Sequence, residues 1–279
     1  MTFTHKLRTN FCTHPIISET TLSADEAVSL VIEQKLSRSQ YEGLRNISVK
    51  KNCKLYPFYK LVLKAKYKCY PEKDSISICE TSAEVKLQAL LNHTINRILM
   101  IQMDVIKSLT CEQHSNLNLI CKWGCDGTSG LNMYKQKFSE DDGSKSDANI
   151  FFTSLVPLQL ISIDKNTSAN IIVWKNPRPS SPRFCRPIKI EFLHETTEAT
   201  VKQTEYIQEQ VSKLIPFTII IDGKEITVNY ELALTMIDGK VCNAITDTAS
   251  TQRCYLCNAT SKDFNNIDII KKKKLIEIV

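Results

Sequence analysis

The chain has 279 residues, 42% hydrophobic and 24% charged, with 7 glycines against 9 prolines, a profile that excludes collagen-like, low-complexity and wholly disordered proteins. Lysine and arginine exceed aspartate and glutamate by 36 to 30, an excess that names no partner until its placement is considered. No run of about 18 apolar residues offers a membrane span, and the start, Met1-Thr2-Phe3-Thr4-His5-Lys6-Leu7, has no apolar signal core. No membrane partner is expected. Eleven cysteines, scattered without a framework in a chain long enough to bury a core, read as reduced thiols and so as a cytoplasmic or nuclear protein.

Residues 1–22 lack periodicity and read as a flexible arm. A helix is predicted from Ser23, where Ser23-Ala24-Asp25-Glu26 has the capping-box pattern and Ala27, Leu30, Val31 and Gln34 follow at helical spacing. A break at Lys35-Leu36-Ser37 precedes a second helix from about Ser39 with Tyr41, Leu44 and Ile47 on one face. Pro57 suits the first turn of a third, through Tyr59, Leu61, Val62 and Ala65. From Lys35 to Lys68 the basic residues, among them Lys50, Lys51 and Lys54, face a single acid, Glu42. That is either a solvated face on a small helical bundle or a surface for nucleic-acid phosphate. A fourth helix, Ser82 to about Leu109, closes a helical region spanning 23–110.

The period then changes. Strands are predicted at Leu117–Trp123, Asn149–Ile163 and Ile171–Trp174, with the polar run Ser139–Asp147 as a loop. A basic, proline-rich link, Asn176 to Pro187, carries Arg178, Arg183 and Arg186. Beyond it come a strand at Ile188–Leu193, an amphipathic helix at Glu195–Leu214, a hairpin of Phe217–Ile221 and Glu225–Asn229 around Asp222-Gly223, and a strand at Leu232–Ile237. Strands, helix and strands in that order predict a mixed α/β core over 111–250.

Two acids end apolar strands and precede a glycine: Asp126 in Trp123-Gly124-Cys125-Asp126-Gly127 and Asp238 in Met236-Ile237-Asp238-Gly239-Lys240. Carboxylates at the ends of neighbouring strands can converge on one cleft and hold Mg²⁺. Asp-Gly is also a common turn pair, and the similar Asp222-Gly223-Lys224 reads as a plain turn. Cys254-Tyr255-Leu256-Cys257 has the spacing of half a tetrahedral zinc site, but no histidine follows His194 and no second such pair exists. Buried free thiols are the plainer reading of that pair, and Cys121 and Cys125 read as core. No nucleophile spacing supports a hydrolase triad beside His194, and no glycine-rich loop cradles a nucleotide phosphate.

As a set, Lys122 to Gly130 with Tyr134-Lys135-Gln136, Thr153-Ser154-Leu155-Val156-Pro157-Leu158, the link from Asn176 to Pro187, and Asp238-Gly239-Lys240-Val241 ahead of Cys254-x-x-Cys257 resemble the Transib transposases and the related catalytic subunit of the V(D)J recombinase. The resemblance runs from about Ala24 to Asn266. It implies an N-terminal helical dimerisation and DNA-binding region followed by a ribonuclease-H-like core, in which an Asp, Asp, Glu triad uses two Mg²⁺ or Mn²⁺ ions for DNA nicking and strand transfer. Asp126 matches the first acid and Asp238 the second, while Glu195 matches an auxiliary acid near the metals. Double-stranded DNA, a homodimer and a nuclear location are implied, with Lys50, Lys51, Lys54, Arg178, Arg183 and Arg186 on the backbone.

The family's last catalytic Glu and its two zinc-binding histidines lie well downstream of the Cys-x-x-Cys. The lysine-rich residues from Ile269 to Val279 do not resemble them, and Glu277 is not the third acid. Residues 251–279 are therefore expected to be the start of a zinc-binding region, with Cys254 and Cys257 as half a zinc site, in a chain truncated at its C-terminal end and with an incomplete core. The expected protein is a transposase remnant that binds DNA and is inactive alone. A domesticated binding or dimerisation partner, or a non-functional pseudogene product, stands as the alternative.

Overall fold

A computed structural model describes residues 21–130, 147–163, 170–250, 252–273 and 275. Most of the expected arm, most of the loop from Ser139, the Tyr134-Lys135-Gln136 part of the quoted motifs and residues 276–279 lie outside the described residues. The chain divides into two compact units, the first ending at Tyr70 and the second beginning at Pro71.

In the first unit, helix α1 (Ala24–Glu33) starts where its capping box requires. The Ser23 hydroxyl accepts from the Glu26 amide at 3.2 Å, and the Glu26 carboxylate takes the Ser23 amide at 2.8 Å. Helix α2 (Arg38–Lys50) repeats the device with Ser37 and Gln40, so the residue read as part of the break is the cap. Helix α3 (Tyr59–Tyr67) follows, and Pro57 lies before its cap rather than in its first turn. The three close on Ala27, Val28, Tyr41, Val62 and Ala65. Tyr41 is fully buried, and its hydroxyl donates to the Pro57 carbonyl at 3.0 Å, which satisfies the one polar atom that burial would otherwise strand. Thr21 and Leu22, at the end of the expected arm, bond to the backbone of Lys54 and Leu55.

The second unit is a mixed α/β structure. Its sheet comprises β1 (Ile76–Ile78), β2 (Ser82–Val85), β3 (Leu117–Ser129), β4 (Asn149–Ile163), β5 (Asn170–Lys175), β6 (Arg186–Glu191), β7 (Phe217–Ile221) and β8 (Lys224–Leu234), ordered β1-β2-β6-β4-β3-β8-β7 with β5 also on β4. The pairs β3–β4, β4–β6 and β7–β8 are antiparallel, whereas β8 runs parallel to β3. Strand β3 alternates as a half-covered strand should, burying Leu117, Leu119, Cys121, Trp123 and Cys125. Helices α4 (Leu87–Ile101), α5 (Met103–Ser108), α6 (Cys111–His114), α7 (Thr197–Ser212), α8 (Gly239–Ile245) and α9 (Ile267–Lys272), with single 3₁₀ turns at Lys73–Ser75 and Pro182–Phe184, complete the described elements. Leu87, Leu90, Leu91, Ile95, Ile98 and Leu99 of α4 join Trp123, Leu155 and Ile207 of α7 in one core, each large aliphatic side chain contributing about 1.5–3 kcal/mol by burial.

Four sequence expectations change here. The helix expected from Ser82 to Leu109 is a strand and two helices, because Ser82–Glu84 pair with Lys189–Glu191 of β6, a partner more than 100 residues away that local periodicity cannot reveal. The arm Glu225–Asn229 and the strand expected at Leu232–Ile237 merge into one strand that ends at Leu234, through continuous pairing of Val228–Leu234 with Leu117–Trp123. Strand β3 runs on to Ser129, since Cys125–Ser129 still pair with Asn149–Thr153. Helix α7 starts at Thr197, where the Thr196 hydroxyl caps the Ala199 amide, leaving Glu195 outside the helix.

Prolines mark where the long strands bend. The β3–β4 register slips between Ile120 and Cys121, opposite Pro157-Leu158. Buried Asn176 fills the slip, donating its amides to the Leu158 and Pro157 carbonyls at 2.8 Å each. Among the described residues no helix is long and apolar enough to cross a membrane, and all ten described cysteines are free thiols.

Candidate functional site

Three segments meet over a small apolar cluster of Cys125, Phe151 and Val241, with Leu193, Ile237 and Ile245 against it. Cys125 precedes Asp126, Ile237 precedes Asp238, and Leu193 stands two residues before Glu195. Burial of these neighbours therefore carries all three acids to the same end of the sheet. The chain leaving β8 is clamped there by two bonds, the amides of Thr235 and Met236 both donating to the Trp123 carbonyl at 3.1 and 3.0 Å. Gly124 makes this approach possible, since a Cβ at that position would lie 1.9 Å from the Met236 carbonyl oxygen. Gly127 does the same for Glu195, whose Cβ and Oε2 would stand 2.4 and 2.8 Å from an added methyl. Neither glycine was singled out for this role by its sequence context.

Asp238 turns the chain into α8: its Oδ1 accepts the Val241 amide at 2.8 Å. Lys240, at the second position of that helix, reaches back to Glu195 with Nζ 3.0 Å from Oε2. The Glu195 side chain is 13% exposed and that of Lys240 60%, so the ammonium closes the pair from the solvent side. The Asp126 carboxyl is held above its ordinary value, first by partial burial, then by the negative charges of Asp238 and Glu195, against smaller opposing pulls from the Gly127 amide and Lys240. Below the acids, burial pushes the Cys125 thiol up to about 11 and the Cys121 thiol up to about 12. These two are inert core groups, as their sequence pattern predicts.

The chain matches no protein-family model and no curated protein sequence.

Chemically, hard carboxylate oxygens with more negative charge than Lys240 neutralises are donors that suit Mg²⁺ or Mn²⁺. Their placement does not yet form a cage: among the described residues no three His, Cys, Asp or Glu side chains are set to hold one ion. Asp238 is engaged in its helix cap and Glu195 in its ion pair.

Cys254 and Cys257 sit in a knuckle made by the Cys254 amide to the Ala259 carbonyl at 2.8 Å, the Asn258 amide to the Cys254 carbonyl at 2.7 Å, and Asn258 at φ 55°. The backbone amides of Leu256 and Cys257 lead in lowering the Cys254 thiol, which is the local setting a thiolate ligand needs. The two cysteines offer two of four tetrahedral positions, and no other described residue completes the set.

The basic residues separate between units. Lys50 ends α2, Lys51 caps it and Lys54 follows, all exposed in the first unit. In the second, Arg178 and Arg183 are exposed on the link, while Arg186 belongs to β6, paired with Leu155, and is half-buried beside Cys121. His194 is exposed, with Nδ1 3.4 Å from the Asn149 side-chain oxygen.

Proposed function

We propose that this protein binds double-stranded DNA as a homodimer in the nucleus, and that its second unit is built on the ribonuclease-H-like plan of the Transib-type transposases it resembles. The convergence of Asp126, Asp238 and Glu195 at one sheet end carries the reading. The strand pattern supports it: an antiparallel β3–β4–β6 run, then helix α7, then β8 returning parallel to β3, with Asp126 near the end of β3 and Asp238 just past the end of β8. In this reading Asp126 and Asp238 hold divalent ions, Glu195 tunes the charge beside them, and the helices of the first unit form a DNA-holding bundle. Exposed Lys50, Lys51, Lys54, Arg178 and Arg183 neutralise backbone phosphates, with Arg186 as an inner contact. Zinc at Cys254 and Cys257 is a half site with an ordering role.

With two triad acids matched in these 279 residues, the expected activity is binding without robust cutting. A labelled duplex titrated at several salt concentrations tests this. Binding should weaken linearly on a log–log salt plot and survive Asp126→Asn with Asp238→Asn. Absence of binding at low salt would overturn the proposal; Mn²⁺-dependent cutting abolished by Asp126→Asn would overturn the expected inactivity. The ion pair of Lys240 with Glu195 favours, as second reading, a non-enzymatic binder in which the acid cluster is closed by its own lysine. Indifference of the fold and of DNA binding to Mn²⁺ distinguishes it.

A further inference from the structure

The path of the sheet ends in two unlike strands. At one end β1 has three residues, which offer a passing strand little to pair with. At the other, β7 reads Phe217-Thr218-Ile219-Ile220-Ile221, with no charge, no proline and no register slip along its pairing with β8. Charges, prolines and bulges are the devices that keep an edge strand from pairing further. The Asp222-Gly223 turn, with φ of 49° and 77°, is the two-residue kind whose closing pair, here Ile221 and Lys224, is hydrogen-bonded. Bonds to β8 then fall at Phe217, Ile219 and Ile221, and the amides and carbonyls of Thr218 and Ile220 point out from the edge. Among the described residues nothing bonds to those outward groups. Phe217, Ile219 and Ile221 pack against the main core, whereas Ile220 is 71% exposed. This open stretch is closed at both ends. Gln88 of α4 accepts the Ile215 amide at 2.9 Å and donates to the Ile215 carbonyl at 3.1 Å, and at the turn the Asp222 carboxylate is paired with Lys107 at 3.0 Å.

We propose that β7 pairs with β7 of a second copy of this chain, antiparallel about a two-fold axis at Ile219, so that the two sheets run on into one. The seam belongs to the homodimer proposed above and rests on that reading. In this register Thr218 stands opposite Ile220 of the second copy, and the two-fold repeats the pair on the other side of the axis. Each outward amide then meets an outward carbonyl. Ile219 meets its own counterpart on the core side, and exposed Ile220 gains a neighbour. Charge favours a second copy as the occupant. The strand is neutral, and the acid at its end is neutralised within its own copy by Lys107. Glu225, which neighbours Ile220 on β8, lies in a row completed by Thr218 and Thr227 of the second copy, so no like charges face each other. Length agrees as well: the stretch between Gln88 and the turn accepts a strand as short as the five residues of β7. Such a seam removes on the order of 400 Å² per copy, about half of a standard interface, so the dimer is weak, with a dissociation constant on the order of 10 µM.

The test is sedimentation velocity on the full chain without DNA, from about 1 to about 100 µM, a range that brackets a weak dimer. The natural protein should pass from monomer to dimer as its concentration rises. Ile220→Lys sets an ammonium on the exposed edge and should dimerise about tenfold more weakly, with its thermal midpoint unchanged. Thr218→Lys carries the same comparison if that variant fails to fold. Ile219→Cys reports the register, because the pair on the axis has its Cα atoms about 4.5 Å apart, within disulfide reach. Mild oxidation should give it a covalent dimer beyond any that the natural cysteines form, and Ile221→Cys should gain none. Unchanged dimerisation in the lysine variants, with no cross-link through Ile219→Cys, would overturn the seam and leave the homodimer standing. A natural protein that stays monomeric at about 100 µM overturns the seam; if it is monomeric on duplex DNA too, the homodimer falls with it. Uptake of a labelled Pro216–Asp222 peptide by a chain that stays monomeric would make the edge a peptide site and overturn the pairing of two copies.

Discussion

Asp126 lies in the exposed last part of β3 with two other carboxylates for company, and its raised proton affinity has a direct consequence for stability. A folded-state value above the unfolded one means that the folded form takes up a proton more readily, so the group's contribution is best at low pH and turns unfavourable as pH rises past its ordinary value of about 4. Asparagine in its place removes that penalty. In EDTA at pH 7.5, Asp126→Asn should raise the thermal midpoint by about 2 °C, and the gain should shrink toward zero as pH falls to about 4. A variant no more stable than the natural protein at pH 7.5 would mean that the acids do not strain the fold. Asp126 and Asp238 stood out in the sequence because each ends an apolar run before a glycine. Lys240 did not, because its ion pair depends on Glu195, 45 positions earlier, being brought beside it.

At the scale of elements, the contact of β3 with the chain leaving β8 decides where the site lies. Gly124 allows the Met236 carbonyl to approach closer than any side chain permits, and the shared Trp123 carbonyl fixes the exit. Gly124→Ala must push the two segments apart and lose those bonds. We expect a loss of about 3 kcal/mol, read as a fall in the second unit's thermal midpoint of about 6–12 °C, together with loss of any Mn²⁺ effect on that midpoint. A variant with natural stability would show that the segments are not clamped. The helices with caps written in their own sequence, α1 above all, were legible because the Ser23–Glu26 device acts within four residues. The β1–β2 hairpin was not: Ile76–Val85 is short and exposed on one side, and its pairing partner β6 is distant in sequence.

For the whole molecule, charge is divided between the units. Helix α3 exposes Lys60 and Lys64 at helical spacing beside Tyr67, with its C-cap Lys68 continuing the row, within the run that holds Glu42 as its one acid, and Glu42 is itself paired with Arg38 at 2.9 Å. If this face meets phosphate, Lys60→Ala with Lys64→Ala should lower the slope of log affinity against log salt by about 2 and leave the second unit's melting unchanged. An unchanged slope would move the DNA contact off α3.

Local chemistry in the sequence determined a good part of this protein: the caps and apolar stripes of α1, α2 and α7, the alternation of β3, the length of β4, the turn at Asp222-Gly223 with both residues at positive φ, and the mixed α/β class. Each depends on residues within a few positions of one another. The tertiary structure alone decided that β8 is one strand lying parallel to β3, that Ser82–Val85 is a strand, and that Glu195 lies against Gly127 and beside Lys240. Those features rest on pairings and close approaches between residues that are far apart in the chain, where hydrogen-bonding geometry and steric fit, rather than local periodicity, select the outcome.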